Sequence, residues 1–169
     1  LRLDLVLNDF VASAMLFNRL NILSDGTPWR PLIDVSDMAR AIEWAIKRPK
    51  ENGGSYISLN IGKDGWNFKI NELAEAVQKY FPTSEIKFVG NNQPDRRSYK
   101  VDFSLFKRLA PSHQPQKALT ETIEDLAIGI EKMIEAGQNN KLEEIHFVRL
   151  KSLEKQIELG LLSNDLYWT

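Results

Sequence analysis

The chain has 169 residues, a formal net charge of −1, 43% hydrophobic and 27% charged residues, and no cysteine. That length and balance suit one soluble domain with a real core, and the near-zero charge argues against bulk attraction to nucleic acid or an anionic membrane, while a local basic pocket for a phosphate stays open. Without cysteine there is no disulfide and no thiolate metal site, a usage that fits a reducing cytoplasm. No apolar run approaches the roughly 20 residues that span a bilayer. Arg2, Asp4, Asn8 and Asp9 leave no secretory leader at the N-terminus. The chain begins at Leu1 rather than Met, as a processed product or a fragment does.

Leu7, Phe10, Val11 and Ala14 repeat at the helical period and predict a helix over about residues 4–19. Residues 21–24 are a short strand candidate, followed by the turn signal Asp25-Gly26. Leu32, Ile33 and Val35 predict a brief extended segment. Asp34 or Ser36 can cap the next helix, whose expected buried stripe is Met38, Ala41, Ile42 and Ala45 and which Pro49 ends. Ile57, Leu59 and Ile61 alternate with polar residues beside Tyr56 and predict a strand. Gly62 and Gly65 bracket a tight loop. Ile70, Leu73, Ala74, Val77 and Phe81 define a second amphipathic helix, stopped by Pro82.

Residues 86–89 are another strand candidate, and the polar stretch GNNQPDRRS is a loop long enough to be functional. Tyr99, Val101 and Phe103 alternate like a strand. Ser104 can cap a short helix through Leu109. Thr120 can start a longer one with Ile123, Leu126, Ala127, Ile130 and Ile134 inward. GQNN at 137–140 reads as a break. Beyond it a charged helical tail carries Leu150, Leu153 and Ile157 on one stripe and ends at Gly160. Strands alternating with helices give an α/β class, but the strands are too few and too short for a complete doubly wound sheet.

Few patterns here carry chemistry. Gly62-x-x-Gly65 follows a strand and precedes a helix, the setting of a phosphate turn. Bulky Trp66 and Phe68 stand where a pyrophosphate needs close backbone approach, so a structural turn is the plainer reading. His113 and His146 have no neighbours specified by sequence for a triad or a metal. Carboxylate runs such as Glu143-Glu144 look like solvated helix faces. Arg30 sits between Trp29 and Pro31, and its fork of donors suits a phosphate. It equally suits an ion pair with Asp34 or Asp37. Asp95, Arg96 and Arg97 can reach a ribose hydroxyl or phosphates, or can pair within a solvated turn.

RLDLVLNDFVASA, WRPLIDVSDMARAIEWAI, SYISLNIG with INELAEAV, PDRRSYKVDFSLFKRLA and ALTETIEDLAIGI occur in that order. Together they resemble the C-terminal, substrate-binding part of extended short-chain dehydrogenases, the NAD-dependent epimerase/dehydratase family. The resemblance implies an incomplete Rossmann-type α/β fold. Residues 1–136 would form the substrate-binding lobe with the last elements of an NAD-binding domain, and 137–169 a helical tail. It implies that Asn8 lies beside a sugar-nucleotide diphosphate, that Arg30 binds that diphosphate, and that Asp95 contacts the nucleotide ribose, with Arg96 and Arg97 nearby. The His usual after the Arg-Pro segment is Asp34 here. The Arg usual before the loop Asp is Asn92, a loss that Arg96 or Arg97 can offset.

No Gly-rich dinucleotide fingerprint occurs, and none of the tyrosines has a Lys four residues on. The family's chemistry needs that ammonium to lower the phenol pKa. The resemblance therefore implies a cytoplasmic nucleotide-sugar enzyme using NAD, whose NAD-binding and catalytic half is not in this sequence. The expected partners are a nucleotide sugar and either a second copy or the missing half, with no nucleic acid and no membrane. The alternatives are a non-catalytic binding or regulatory relative, favoured by Asn92, and a helical interaction module docking through residues 141–169.

Overall fold

The apolar repeat near the N-terminus coils as α1, Val6–Phe17, burying Leu7, Phe10, Val11 and Ala14 as the periodicity predicts. The computed structural model describes residues 2–90, 97–136 and 149–169. Asn18 ends α1 in the left-handed region at φ 49°, a conformation that Asn tolerates better than most residues, and its N–H bonds the Ala14 carbonyl. Its carbonyl then accepts from Glu85 N at 3.0 Å, so one residue stops the helix and starts a sheet.

That sheet pairs β1, Arg19–Ile22, with β4, Glu85–Phe88, in parallel, Leu20 opposite Ile86 and Ile22 opposite Phe88. A parallel pair needs a crossover, and here it carries most of the fold. It contains β2, Trp29–Pro31, α2, Val35–Lys47, β3, Asn67–Lys69, and α3, Ile70–Tyr80. β2 and β3 pair antiparallel, with Trp29 opposite Lys69 and Arg30 opposite Phe68. After β4 come α4, Ser104–Leu109, a 3₁₀ turn at Pro111–His113, α5, Leu119–Glu135, and α6, Arg149–Glu158.

The main core lies where α1, α3 and α5 meet over β1, with Val11, Leu20, Leu73, Val77, Ile123 and Ile130 essentially inaccessible. A smaller core joins α2 to α4 through Ala41, Trp44, Phe106 and Ala110, the Trp44 and Phe106 rings meeting edge-on at 5.5 Å. Asp34 caps α2 by accepting Ser36 N at 2.9 Å. Glu121 returns to the Ala118 N–H at 2.6 Å at the start of α5. Gly160 takes φ 70° just past α6, as its C-terminal position predicts.

Several expectations need correction. β1 begins two residues earlier than predicted, and β2 covers 29–31 rather than 32–35, because Val35 is already the first residue of α2. The buried face of α2 is Asp37, Ala41 and Trp44, whereas Met38 and Ile42 are 44% and 52% exposed. Phe103, not Ser104, is the N-cap of α4, and the Asp102 carboxylate before it accepts both Ser104 N and Ser104 Oγ. Residues 56–63 form no regular strand, although alternation is present. Alternating residues become a strand only when a neighbour pairs their backbone. Among the described residues, no backbone–backbone hydrogen bond joins 56–61 to another segment. The break at 137–140 and Leu150 of the tail stripe lie outside the described residues or side chains.

Candidate functional site

Of the residues singled out from sequence, Arg30 and Arg97 come together beside β2. Arg30 is half-buried, and its Nη1 donates to the Trp29 carbonyl at 2.8 Å and to the Arg97 carbonyl at 2.7 Å. The segment after Arg97 is pinned further, Tyr99 N donating to the Trp29 carbonyl at 3.5 Å. Trp29 N donates to Ser98 Oγ at 3.0 Å. The Asn67 side chain donates to the Val101 carbonyl at 3.0 Å and accepts Val101 N at 2.8 Å. Asn67 thus supplies the donor and acceptor a neighbouring strand would offer, which is why 99–103 lies extended without entering a sheet. No sequence periodicity marks Asn67 for this role.

Pinning this segment shapes an open groove of about 310 Å³. Pro31–Ile33 form one side, Asn60 and Ile61 another, and Tyr99, Val101 and Phe103 the third. Phe103 also fills the space above Gly62, where an added Cβ would lie 2.5 Å from its ring. Gly62 therefore admits an aromatic ring. Gly65, at φ 86°, makes the turn before β3, with Trp66 N bonded to the Lys63 carbonyl. The Gly62-x-x-Gly65 stretch is thus a turn between an extended segment and β3, not the strand–helix turn expected from sequence.

Arg30 does not bond Asp34 or Asp37. Those carboxylates tie α2 to the start of α5 instead. Asp37, 2% exposed, accepts Gln116 N at 2.9 Å and Lys117 N at 3.0 Å. Asp34 accepts Ser36 N, Ser36 Oγ and, at 2.7 Å, Thr122 Oγ1. Burial alone would raise the Asp34 carboxyl, but the bonds from Ser36 and Thr122, with the Lys117 charge, hold it below the usual range. A carboxylate lowered in the folded state adds stability above its unfolded pKa of about 3.9, and loses it as pH falls through the lower folded value. Thr122→Val removes one charge-assisted bond at nearly constant shape. It is expected to cost about 1–2 kcal/mol near neutral pH and progressively less in acid, as the pH falls through the lowered folded value. Urea unfolding near neutral pH and in acid checks this; an equal loss at both would assign Thr122 to packing alone.

Asn8 stands apart on α1, its Nδ2 donating to the Arg2 carbonyl at 2.8 Å. The principal contacts of α1 are with α3, α5 and β1. Arg97 is exposed and joined to Arg30, while Asp95 and Arg96 lie outside the described residues. His113 closes the 3₁₀ turn and lines a second cleft of about 290 Å³ with Trp44, Lys47 and Arg48. Among the described residues, no group of three His, Asp or Glu side chains could hold a metal. No described helix is long and apolar enough to cross a membrane.

Residues 3–62 match the model of the NAD dependent epimerase/dehydratase family. The match covers α1 through α2 and the extended segment beyond. No curated protein matches the chain.

Solved structures give the particular likenesses. An NAD dependent NDP-hexosamine 5,6-dehydratase, TunA, involved in tunicamycin biosynthesis, is 17% identical with a TM-score of 0.64, over 78% of this chain and 41% of that one. The UDP-glucuronic acid 4-epimerase of Bacillus cereus, in complex with UDP-glucuronic acid and NAD, is 20% identical with a TM-score of 0.62, over 78% and 41%. The L-threonine dehydrogenase of Phytophthora infestans is 18% identical with a TM-score of 0.59, over 73% and 40%. The chain thus spans less than half the length of each. At these identities the likeness is one of fold: a mixed α/β chain with a small parallel sheet, similar to part of Rossmann-type enzymes.

Proposed function

We propose that this chain is the substrate-binding portion of a cytoplasmic NAD-dependent nucleotide-sugar epimerase or dehydratase, with the NAD-binding and catalytic half in chain outside this sequence. The carrying observation is the family match over residues 3–62, the stretch that holds both Asn8 and Arg30. In this reading Asn8, Arg30, Asp95, Arg96 and Arg97 attend the nucleotide and diphosphate of the sugar nucleotide. Residues 1–136 form the lobe and 137–169 a helical tail.

In this reading the chain carries no NAD site of its own: no Gly-rich fingerprint occurs, no Tyr has a Lys four residues on, and the Phe103 ring fills the space at Gly62. The fold offers a place for the missing half instead. Val35, Met38, Ile42 and Ile46 form an apolar face of α2 that is 80%, 44%, 52% and 79% exposed. Among the described residues, 56–61 makes no backbone–backbone hydrogen bond to another segment, and Tyr56 is 83% exposed. An exposed apolar helix face and a segment without backbone partners are each what a Rossmann sheet would cover.

Calorimetric titration with NAD is the test. The chain alone is expected to show no saturable binding, and the chain joined to its upstream coding region about micromolar affinity. Micromolar binding by the chain alone would overturn the division of labour. An upstream region lacking both a Gly-rich fingerprint and a Tyr-x-x-x-Lys pair would overturn the enzymatic reading.

A further inference from the structure

The β2–β3 register puts Trp29 opposite Lys69 and Arg30 opposite Phe68. Successive side chains leave a strand on opposite faces. Phe68 packs against the main core, so Trp29 and Lys69 lie on the outward face and Arg30 leaves on the other. On that outward face two ammonium groups gather on one indole. Lys100 Nζ lies 3.7 Å from the Trp29 ring centroid and Lys69 Nζ 5.3 Å from it. Each gains from the ring quadrupole, and together they place two positive charges around one indole.

Among the described residues, no carboxylate lies within ion-pair distance of either ammonium. The acid in the first turn of α3, Glu72, accepts the Lys69 backbone N–H at 2.8 Å rather than its ammonium. Lys69 is moreover the N-cap of α3, the positive end of a helix dipole, where a cation is disfavoured. The chain as a whole has a net charge of −1, so this concentration of positive charge is local.

We propose that Trp29, Lys69 and Lys100 form an anion platform for a phosphate-bearing group, distinct from the Arg30 side of β2. A phosphate ester or diphosphate fits better than a lone carboxylate. It carries about two negative charges at neutral pH and several acceptor oxygens, enough to answer two ammonium groups at once. Lysines act as point charges and need no planar, bidentate partner. The platform stands whether or not the chain belongs to a nucleotide-sugar enzyme.

The test uses the chain as it is, with inorganic pyrophosphate as probe, at constant ionic strength. The readout is the Trp29 indole N–H resonance, assigned by its loss in Trp29→Phe. Saturable movement of that resonance is expected. Lys69→Ala and Lys100→Ala should each weaken binding about threefold, and the double variant about tenfold, as suits exposed charges. Lys63→Ala, which removes the ammonium 5.0 Å from the Trp66 ring, should leave it within about twofold. Absence of saturation, the same movement with chloride alone, or unchanged binding in the double variant would each overturn the platform. If a nucleoside diphosphate sugar displaces pyrophosphate, the site serves that substrate's phosphates. If it does not, the site serves a separate phosphate ligand. Both outcomes uphold the platform and assign its source.

Discussion

Asp37→Ala is expected to lower the stability of the fold by about 3 kcal/mol or more, the largest effect of any single polar substitution considered for this chain. The carboxylate is 2% exposed and accepts two backbone N–H groups, from Gln116 and Lys117. Hydrogen bonds to a charged acceptor contribute about 1.5–3 kcal/mol each, and truncation leaves both donors without a partner. The chain between the 3₁₀ turn and α5 would then lose both backbone bonds to α2 and keep the bond from Arg40 Nη1 to Gln116 Oε1. Asp37→Asn keeps the volume but presents only one acceptor, so about half the loss should remain. Urea unfolding of the two variants gives the answer. A change under about 0.5 kcal/mol for the alanine variant would mean that this joint carries little of the stability.

On the proposed reading, Arg30→Ala is expected to weaken nucleotide-sugar binding by the complete protein about tenfold to a hundredfold. Charge-assisted bonds from a guanidinium to diphosphate oxygens contribute about 1.5–3 kcal/mol. The structure adds a second route to the same loss. Arg30 Nη1 holds the Arg97 carbonyl, so its removal also frees the segment that walls the groove. Arg30→Lys should recover only part, since an ammonium can satisfy one carbonyl but lacks the fork. Melting temperature and substrate dissociation constant, measured on one preparation, separate the roles. A lower melting temperature with unchanged affinity would make Arg30 a structural strap and remove it from the substrate site.

What could be read from sequence was whatever repeats locally. The helical periods of α1, α3 and α5 name their buried residues almost without error, because each of these helices shows a single apolar stripe to a single core. α2 failed for an identifiable reason. Its apolar residues cover two flanks, and periodicity cannot say which one this chain buries. The Asp37–Trp44 flank is buried because Phe106 and the start of α5 meet it, whereas the Val35–Ile46 flank has no described partner. Arg30 was marked by its neighbours in sequence, but its bonding to carbonyls rather than to Asp34 or Asp37 was not.

The sequence by itself determined the α/β class, the three core helices and the lack of an NAD fingerprint, since these rest on residue type and short-range spacing. Only the tertiary structure decided that 56–61 is extended without being a strand, that Asn67 stands in for a strand beside Val101, and that Lys69 and Lys100 share the Trp29 ring. Each of these depends on contacts between segments far apart in the chain. Backbone pairing, side-chain bridging and charge clustering are properties of what folding brings together, and no local pattern encodes them.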